Sequence, residues 1–178
     1  ALHTLIFDDP ECRPFYYKNG KSFKDYHKEG EIFWHKYVTY TEGMSDYWDY
    51  SFFNVSVIRY ADVLLLYAEC LNDKGETTEA INIINKVRAR VNVPALPLTM
   101  SKAEVLKHLQ DKERPCELAL EGSRWYDLVR WGIVEETLKA HNKPFVENYV
   151  DTKHQLFPIP HSEFLLNPDW EQNPNYSK

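Results

Sequence analysis

Two successive segments with helical spacing, joined by a short turn, constrain this chain more than any other feature of its sequence. From residue 54 onward, apolar residues recur every three or four positions, as Val63, Leu66 and Cys70 do. This spacing predicts a buried helix with Cys70 packed in the core. The polar residues that end at Gly75 predict where the helix stops, because glycine readily adopts the left-handed conformation found after a helix.

The next segment predicts a second helix that runs back along the first. Ile81 and Ile84 begin an apolar face with helical spacing, and the pattern stops before Pro94. Because the link between the two segments is short, we expect the helices to pack antiparallel. Ala68 and Ala80 are small enough to lie where such a pair approaches most closely.

Local signals predict three more helices. Ser101 is followed three residues later by Glu104, which is the pattern of a reciprocal capping box at the start of a helix. Pro115 removes a backbone donor, so we expect this helix to kink or restart there. A fourth helix should end near Gly132, and residues 133–140 predict a fifth.

The composition divides the chain into three regions. Residues 1–53 contain 15 of the 26 aromatic residues together with several turn signals, so we expect loops and short strands there, above all over residues 32–40. Residues 54–140 carry the helical pattern and form the predicted scaffold. Residues 141–178 contain five of the ten prolines, which predicts an extended tail that wraps the helices.

The charge balance and the apolar runs exclude several classes of function. Lys and Arg number 21 against 27 Asp and Glu, a formal net charge of -6, so we expect no nucleic-acid partner. The longest apolar run, residues 63–66, is far too short to cross a bilayer. The three cysteines and seven histidines show no metal-binding spacing, and no glycine-rich phosphate loop occurs. We therefore expect no metal site and no cofactor.

Glu117 and Glu121 are the best candidates for acid and base chemistry. They lie four residues apart and would share one helix face, so they could approach each other as the carboxylate pair of a glycoside hydrolase. The charged residues around them favour a structural role instead; these are Arg114, Arg124, Asp127 and Arg130. We expect a partly buried ion network that ties the third and fourth helices together and assign no catalytic residue, with the hydrolase kept as an alternative.

The aromatic residues of the first region are candidates for ligand binding. Trp34, Tyr37, Tyr40 and Trp48 alternate with acidic residues along this stretch. A pyranose ring presents its C–H bonds to an aromatic face while its hydroxyls bond carboxylates, so such a surface suits a glycan. The alternative is that these rings pack against one another as the core of a loop-rich region.

Several ordered segments resemble the SusD/RagB family of outer-membrane nutrient-binding lipoproteins. The similar segments are residues 59–69 (RYADVLLLYAE), 81–90, 113–131, 154–160 and 172–176. They correspond to the C-terminal part of that family and are distributed over residues 55–176. Pro115 and Asn175 depart from the family's usual pattern.

The resemblance implies an all-α fold of tetratricopeptide-like antiparallel helix pairs, with irregular loops and short strands in the N-terminal third and an extended Pro-rich tail. It also implies a noncatalytic protein that binds glycans at the surface of the outer membrane and delivers them to a SusC-like TonB-dependent transporter. Membrane attachment would then depend on a lipid anchor missing from this chain, which we expect to be the C-terminal portion of a longer protein. A tetratricopeptide-like protein-interaction scaffold without a carbohydrate ligand is the other alternative, because the motifs belong to the scaffold and locate no binding site.

Overall fold

The computed structural model of this chain describes residues 5–8, 23–25, 27–34, 36–37 and 56–177. The described residues are mostly helical, as predicted for an all-α fold with short strands near the N-terminus. In the first region, β1 (Leu5–Ile6) pairs antiparallel with β2 (Phe33–Trp34), and a short 3-10 turn lies between them at Phe23–Asp25. The strand expected over residues 32–40 is shorter than predicted, because the chain turns at residues 36–37, where Tyr37 has a left-handed φ of 67°.

The two helices predicted first form the antiparallel pair. α1 (Tyr60–Asp73) and α2 (Thr77–Ala89) are joined by a link in which Gly75 has a φ of 90°. Ala68 and Ala80 are fully buried, as expected for small residues where two helices approach closely. The remaining buried apolar side chains of the pair are Leu65, Leu71, Ile81, Ile83, Ile84 and Val87.

The orientation of α1 differs from the prediction. The helix begins at Tyr60, and residues 56–59 precede it in irregular conformation. Its buried face carries Leu65 and Ala68, whereas Val63 and Cys70 are exposed. The expectation that Cys70 lies in the core is therefore wrong. Since apolar residues occur on most sides of α1, their spacing predicts a helix but does not select the face that α2 covers.

The third helix starts directly after Ser101, as the capping pattern in the sequence predicted. Ser101 Oγ accepts a hydrogen bond from the backbone N–H of Glu104 at 3.3 Å, and the Glu104 carboxylate accepts one from the backbone N–H of Ser101 at 2.8 Å. These reciprocal bonds satisfy donors that the first turn of α3 (Lys102–His108) leaves without a helical partner. The capping box is thus confirmed.

A wider helical turn separates α3 from the next helix. Leu109–Glu113 forms a π-helical segment, in which the backbone N–H of Arg114 donates to the carbonyl of Leu109. α4 (Arg114–Glu117) follows, with Pro115 in its first turn, where a missing N–H costs least. The restart predicted at Pro115 is confirmed.

The chain forms two compact units, Ala1–Gly122 and Ser123–Lys178. The second unit opens with α5 (Ser123–Trp131) and α6 (Val134–Ala140), which Gly132 separates with a φ of 68°. Both helices occur where the sequence predicted them. Their shared core contains Leu128, Val134 and Leu138.

The tail of the second unit is extended only in part. It contains a 3-10 segment (Pro144–Asn148), α7 (Asp151–His154) and α8 (His161–Leu166). One amide side chain fixes the extended stretch before α8: Gln172 accepts from the backbone N–H of Ile159 at 2.8 Å and donates to its carbonyl at 2.9 Å. These two bonds imitate the pairing of a neighbouring strand.

Candidate functional site

Glu117 and Glu121 lie in a group of opposite charges that three distant parts of the first unit supply. Arg59 donates from Nε to Glu121 Oε2 at 2.7 Å and from Nη1 to Glu117 Oε1 at 2.9 Å. Arg90 Nη2 contacts both carboxylate oxygens of Glu117, at 2.8 and 2.9 Å. Lys36 forms an ion pair with Glu121. We refer to these five residues as the Glu117 cluster.

The cations of the Glu117 cluster also bind backbone carbonyls at and beyond the end of α4. Lys36 Nζ donates to the carbonyls of Glu117 and Ala119, both at 3.1 Å, and Arg59 Nη2 donates to that of Glu117 at 3.0 Å. Such carbonyls have no partner within the helix, and positive charge at a helix C-terminus is favourable. The next residue, Leu120, has a left-handed φ of 67°, so the cluster holds a turn that is strained for a branched side chain.

The electrostatics of the cluster keep Glu121 ionised. Burial by itself would raise the pKa of Glu121, but the hydrogen bonds and charges of Arg59 and Lys36 outweigh it, so the pKa lies below its ordinary value of 4.5. Burial likewise opposes the charge of Arg59, and the hydrogen bonds to Glu121 and Glu117 nevertheless raise the pKa of that guanidinium. The arrangement therefore favours ion pairing over proton transfer.

The other residues proposed for the ion network have partners of their own. Arg114 is buried in α4, and its Nη1 lies 2.8 Å from Oδ1 of Asp62 on α1. Asp127 is buried in α5 and accepts from Arg130 Nε at 3.0 Å. Arg124 is half-buried in the same helix. A stabilising role for all of these residues remains a proposal.

A second buried ion group joins α2 to the π-helical segment. Glu113 accepts a hydrogen bond from Arg88 Nη1 at 2.5 Å, and its carboxylate lies 2.8 Å from Nε2 of His108. Burial would raise the pKa of Glu113, but the contacts with His108 and Arg88 outweigh it and lower the pKa below 4.5. This carboxylate therefore stays charged in the interior because two neighbours compensate for its lost hydration.

Reasoning from the sequence missed Lys36, Arg59 and Arg90 as partners of the two glutamates. These cations lie 27 to 85 residues away along the chain, so no local spacing indicates the contacts. One signal was present, since Arg59 opens one of the family-like segments and Arg90 closes another. A charged residue at the end of a family-like segment was thus the available indication that the segment takes part in an ion pair.

Two of the four predicted glycan-binding aromatics lie in the described part of the chain. Trp34 is 56% exposed and Tyr37 is 37% exposed, so each offers ring surface to a ligand. The neighbouring Phe33 instead packs inward, with its ring centroid 6.2 Å from that of Phe23. Tyr40 and Trp48 lie outside the described residues. A role for any of the four in glycan binding remains a prediction.

The described residues contain neither a helix suited to crossing a membrane nor a cluster of metal-binding side chains. Across these residues, no helix combines the length and the apolar character that a membrane span needs. The same stretches of chain bring no three His, Cys, Asp or Glu side chains together as a metal ion would require.

The sequence matches one protein family over nearly its whole length. The model of the SusD family matches residues 14–176. Two SusD-like proteins of Formosa agariphila are similar: P38 is 37% identical over 130 residues, and P2 is 31% identical over 131 residues. Each alignment covers 69% of this chain but 25% of P38 and 26% of P2. The chain thus spans about a quarter of the length of these curated relatives.

Solved structures show the same fold. A SusD superfamily protein from Bacteroides vulgatus is 29% identical and superposes with a TM-score of 0.76, covering 99% of this chain and 39% of the other. A SusD homolog from Bacteroides thetaiotaomicron is 33% identical with a TM-score of 0.57, covering 75% of this chain and 30% of the other. Together with the family match, these structures confirm the resemblance seen in the sequence: the chain belongs to the SusD family.

Proposed function

We propose that this chain is the C-terminal scaffold of a noncatalytic protein that binds oligosaccharides at the surface of the outer membrane. In this role the whole protein delivers its glycan to a SusC-like TonB-dependent transporter and is held at the membrane by a lipid anchor. The observation that carries the proposal is the match to the SusD family over residues 14–176. No cofactor is needed, because binding and release involve no bond chemistry.

The environment of the two glutamates supports a role without catalysis. Glycoside hydrolysis needs one carboxyl group that is protonated near the working pH and a second that is free to act as nucleophile or base. Glu121 has a lowered pKa, and Glu117 binds Arg59 and Arg90 through its carboxylate. These ion pairs suit a structural pair of carboxylates better than an acid and a base.

The proposed glycan contacts in the first unit are the exposed rings of Trp34 and Tyr37, together with Tyr40 and Trp48. An exposed aromatic face offers a large apolar surface that needs little ordering on binding. Lys36, a member of the Glu117 cluster, directly precedes Tyr37 in the chain, so the cluster anchors the residue next to this ring.

The test is a paired measurement of binding and hydrolysis on the full-length protein. Soluble oligosaccharides are titrated by calorimetry, and the same panel is incubated with the protein and assayed for released reducing ends. We expect binding of at least one glycan class without turnover. Hydrolysis that Glu117→Gln abolishes would overturn the proposal in favour of a glycoside hydrolase.

One observation favours the second candidate, a tetratricopeptide-like protein-interaction scaffold without a carbohydrate ligand. Tyr60, Val63 and Tyr67 form an exposed apolar stripe along α1, and helical repeats commonly bind partners through such faces. A full-length protein that associates with its transporter in a pull-down but binds no glycan would support this candidate.

A further inference from the structure

The second unit contains an aromatic pocket, and none of its lining residues belongs to the Glu117 cluster. Its cavity volume is about 290 Å³. Five aromatic rings line it; these are Trp125, Phe145, Tyr149, Phe157 and Tyr176. They come from α5, the 3-10 segment and the tail, so several separate segments converge on one concave surface. We refer to this cavity as the aromatic pocket.

Hydrogen bonds hold two of the five rings of the aromatic pocket, those of Tyr149 and Tyr176. Tyr149 donates its hydroxyl to Asp151 Oδ1 at 2.7 Å, and Tyr176 donates its hydroxyl to the carbonyl of Leu156 at 3.1 Å. Burial and the bond to Asp151 raise the pKa of Tyr149 to about 12, so the phenol stays protonated and keeps its bond. The ring of Tyr149 meets that of Trp125 edge to face, with centroids 6.2 Å apart. Rings that are already held in this way lose little freedom when a ligand binds against them.

Two polar side chains of the lining give the pocket hydrogen-bonding capacity. His154 Nδ1 accepts the backbone N–H of Val150 at 2.8 Å, so the neutral ring carries its proton on Nε2 and can donate it. The exposed Asn148 amide provides both donors and an acceptor. Lys153 Nζ stacks 4.7 Å from the centroid of the Tyr176 ring, but no Lys, Arg, Asp or Glu is itself among the lining residues in the described part of the chain. A lining without acidic or basic groups of its own suits a neutral ligand.

These features together are chemically complementary to a sugar ring. Aromatic rings cover the apolar C–H face of a pyranose, while an amide and an imidazole N–H bind its hydroxyl groups. The cavity of about 290 Å³ lies at the lower limit of about 300 Å³ for small-molecule sites. A space of this size suits one ring better than a chain of several.

We propose that the aromatic pocket binds a single sugar ring of a neutral glycan. The ring packs on the aromatic side chains, with Phe157 as the main exposed surface, and its hydroxyls bond Asn148 and His154. The proposal rests on the glycan-binding function proposed above and adds a contact within the second unit to the exposed aromatics of the first.

The experiment compares variants of the full-length protein that differ only at exposed aromatic positions of the second unit. Phe157 is 69% exposed and lines the pocket, whereas Tyr126 is 61% exposed on α5 and does not line it. We expect Phe157→Ala to weaken the affinity for a bound neutral oligosaccharide by about two- to tenfold, which is the size of an aromatic contact. Tyr126→Ala, the matched control, should leave the affinity unchanged.

A second variant tests the polar part of the pocket without removing apolar surface. Asn148→Ala should also weaken binding, because a glycan hydroxyl loses a partner. Unchanged affinity in both Phe157→Ala and Asn148→Ala, with wild-type binding intact, would overturn the pocket while leaving the proposed function standing. A wild-type protein that binds no saccharide would overturn both.

The melting temperature of each variant shows whether the pocket is an open ligand site or is covered by another part of the polypeptide. If the aromatic pocket is open to solvent, Phe157→Ala and Tyr126→Ala should both have the melting temperature of the wild type in the absence of glycan. A large loss of stability in Phe157→Ala alone would show that another segment of the protein fills the pocket, and it would overturn the proposal.

Discussion

Arg59, the residue that precedes α1, donates from Nε to Oε2 of Glu121 at 2.7 Å. This contact joins the start of the antiparallel helix pair to the end of the helical series of the first unit, across 62 positions of sequence. The guanidinium also binds the carboxylate and the carbonyl of Glu117, so one side chain satisfies several groups at once. Arg59 is therefore the central cation of the Glu117 cluster.

Arg59→Ala should destabilise the folded chain. In this variant Glu121 keeps only Lys36 and Glu117 keeps only Arg90 as a cationic partner. We therefore expect a loss of about 2 kcal/mol, which is less than the about 3 to 5 kcal/mol expected when a buried charge loses its only partner. Urea denaturation measures this difference. Arg90→Ala is the control, because Arg90 is 58% exposed and should change stability by less than about 1 kcal/mol. Equal effects of the two substitutions would contradict the central position of Arg59.

The stability of the fold should decrease in acid. The pKa values of Glu113 and Glu121 lie below the ordinary value of 4.5, so each carboxylate stabilises the folded state above that pH. This contribution is lost as the pH falls from 4.5 toward the lower folded-state pKa values, because the folded state then binds protons less readily than the unfolded state. Urea titrations at a series of pH values provide the measurement.

Glu113→Gln is the variant that isolates one of these carboxylates. It should be less stable than the wild type at neutral pH and should show a smaller loss of stability in acid. A pH dependence below 4.5 that is the same in Glu113→Gln and in the wild type would show that Glu113 does not contribute to it.

The closest approach of α1 and α2 should not accept a larger side chain. Ala68 and Ala80 have no exposed surface, so Ala80→Leu would force the helices apart and should cost about 1 to 3 kcal/mol. Ala89→Leu adds the same atoms at an exposed position on α2 and should have little effect. Thermal denaturation of both variants checks this, and equal melting temperatures would argue against close packing at Ala80.

Asp127 and Arg124 should contribute to stability in the second unit. Asp127 is buried and accepts from Arg130 Nε, so Asp127→Ala should cost about 1 to 3 kcal/mol. Arg124→Ala should also lower the melting temperature. Asp169→Ala provides a control at an exposed acidic position. If Arg124→Ala retains full stability and loses glycan binding, its role is in recognition rather than in structure.

Features that depend on neighbouring residues could be predicted from the sequence. Ser101 and Glu104 form their capping box within one turn, and Gly132 ends α5 because it can adopt a positive φ. The family-like segments also predicted the all-α class, because the three longest of them lie largely within helices. These signals are local, so they do not depend on knowing what packs on each element.

Features that depend on distant contacts could not be predicted in the same way. Cys70 is exposed because α2 packs on a different face of α1. Several faces of α1 are apolar, so the sequence does not indicate which of them α2 covers. The partners of Glu117 are fixed by the path of the chain, since Arg59 is 58 residues away. The charged residues nearest to Glu117 and Glu121 in sequence therefore do not include the cations that bind them.

Glu121 offers the most direct test of whether the two carboxylates have a structural role and of the function proposed above. The free energy of unfolding and the glycan affinity are measured for Glu121→Gln and the wild type of the full-length protein, with hydrolysis of the same glycan followed in parallel. We predict lower stability, unchanged affinity in the folded fraction and no turnover by either protein. Unchanged stability together with a loss of hydrolytic activity in Glu121→Gln would contradict the account.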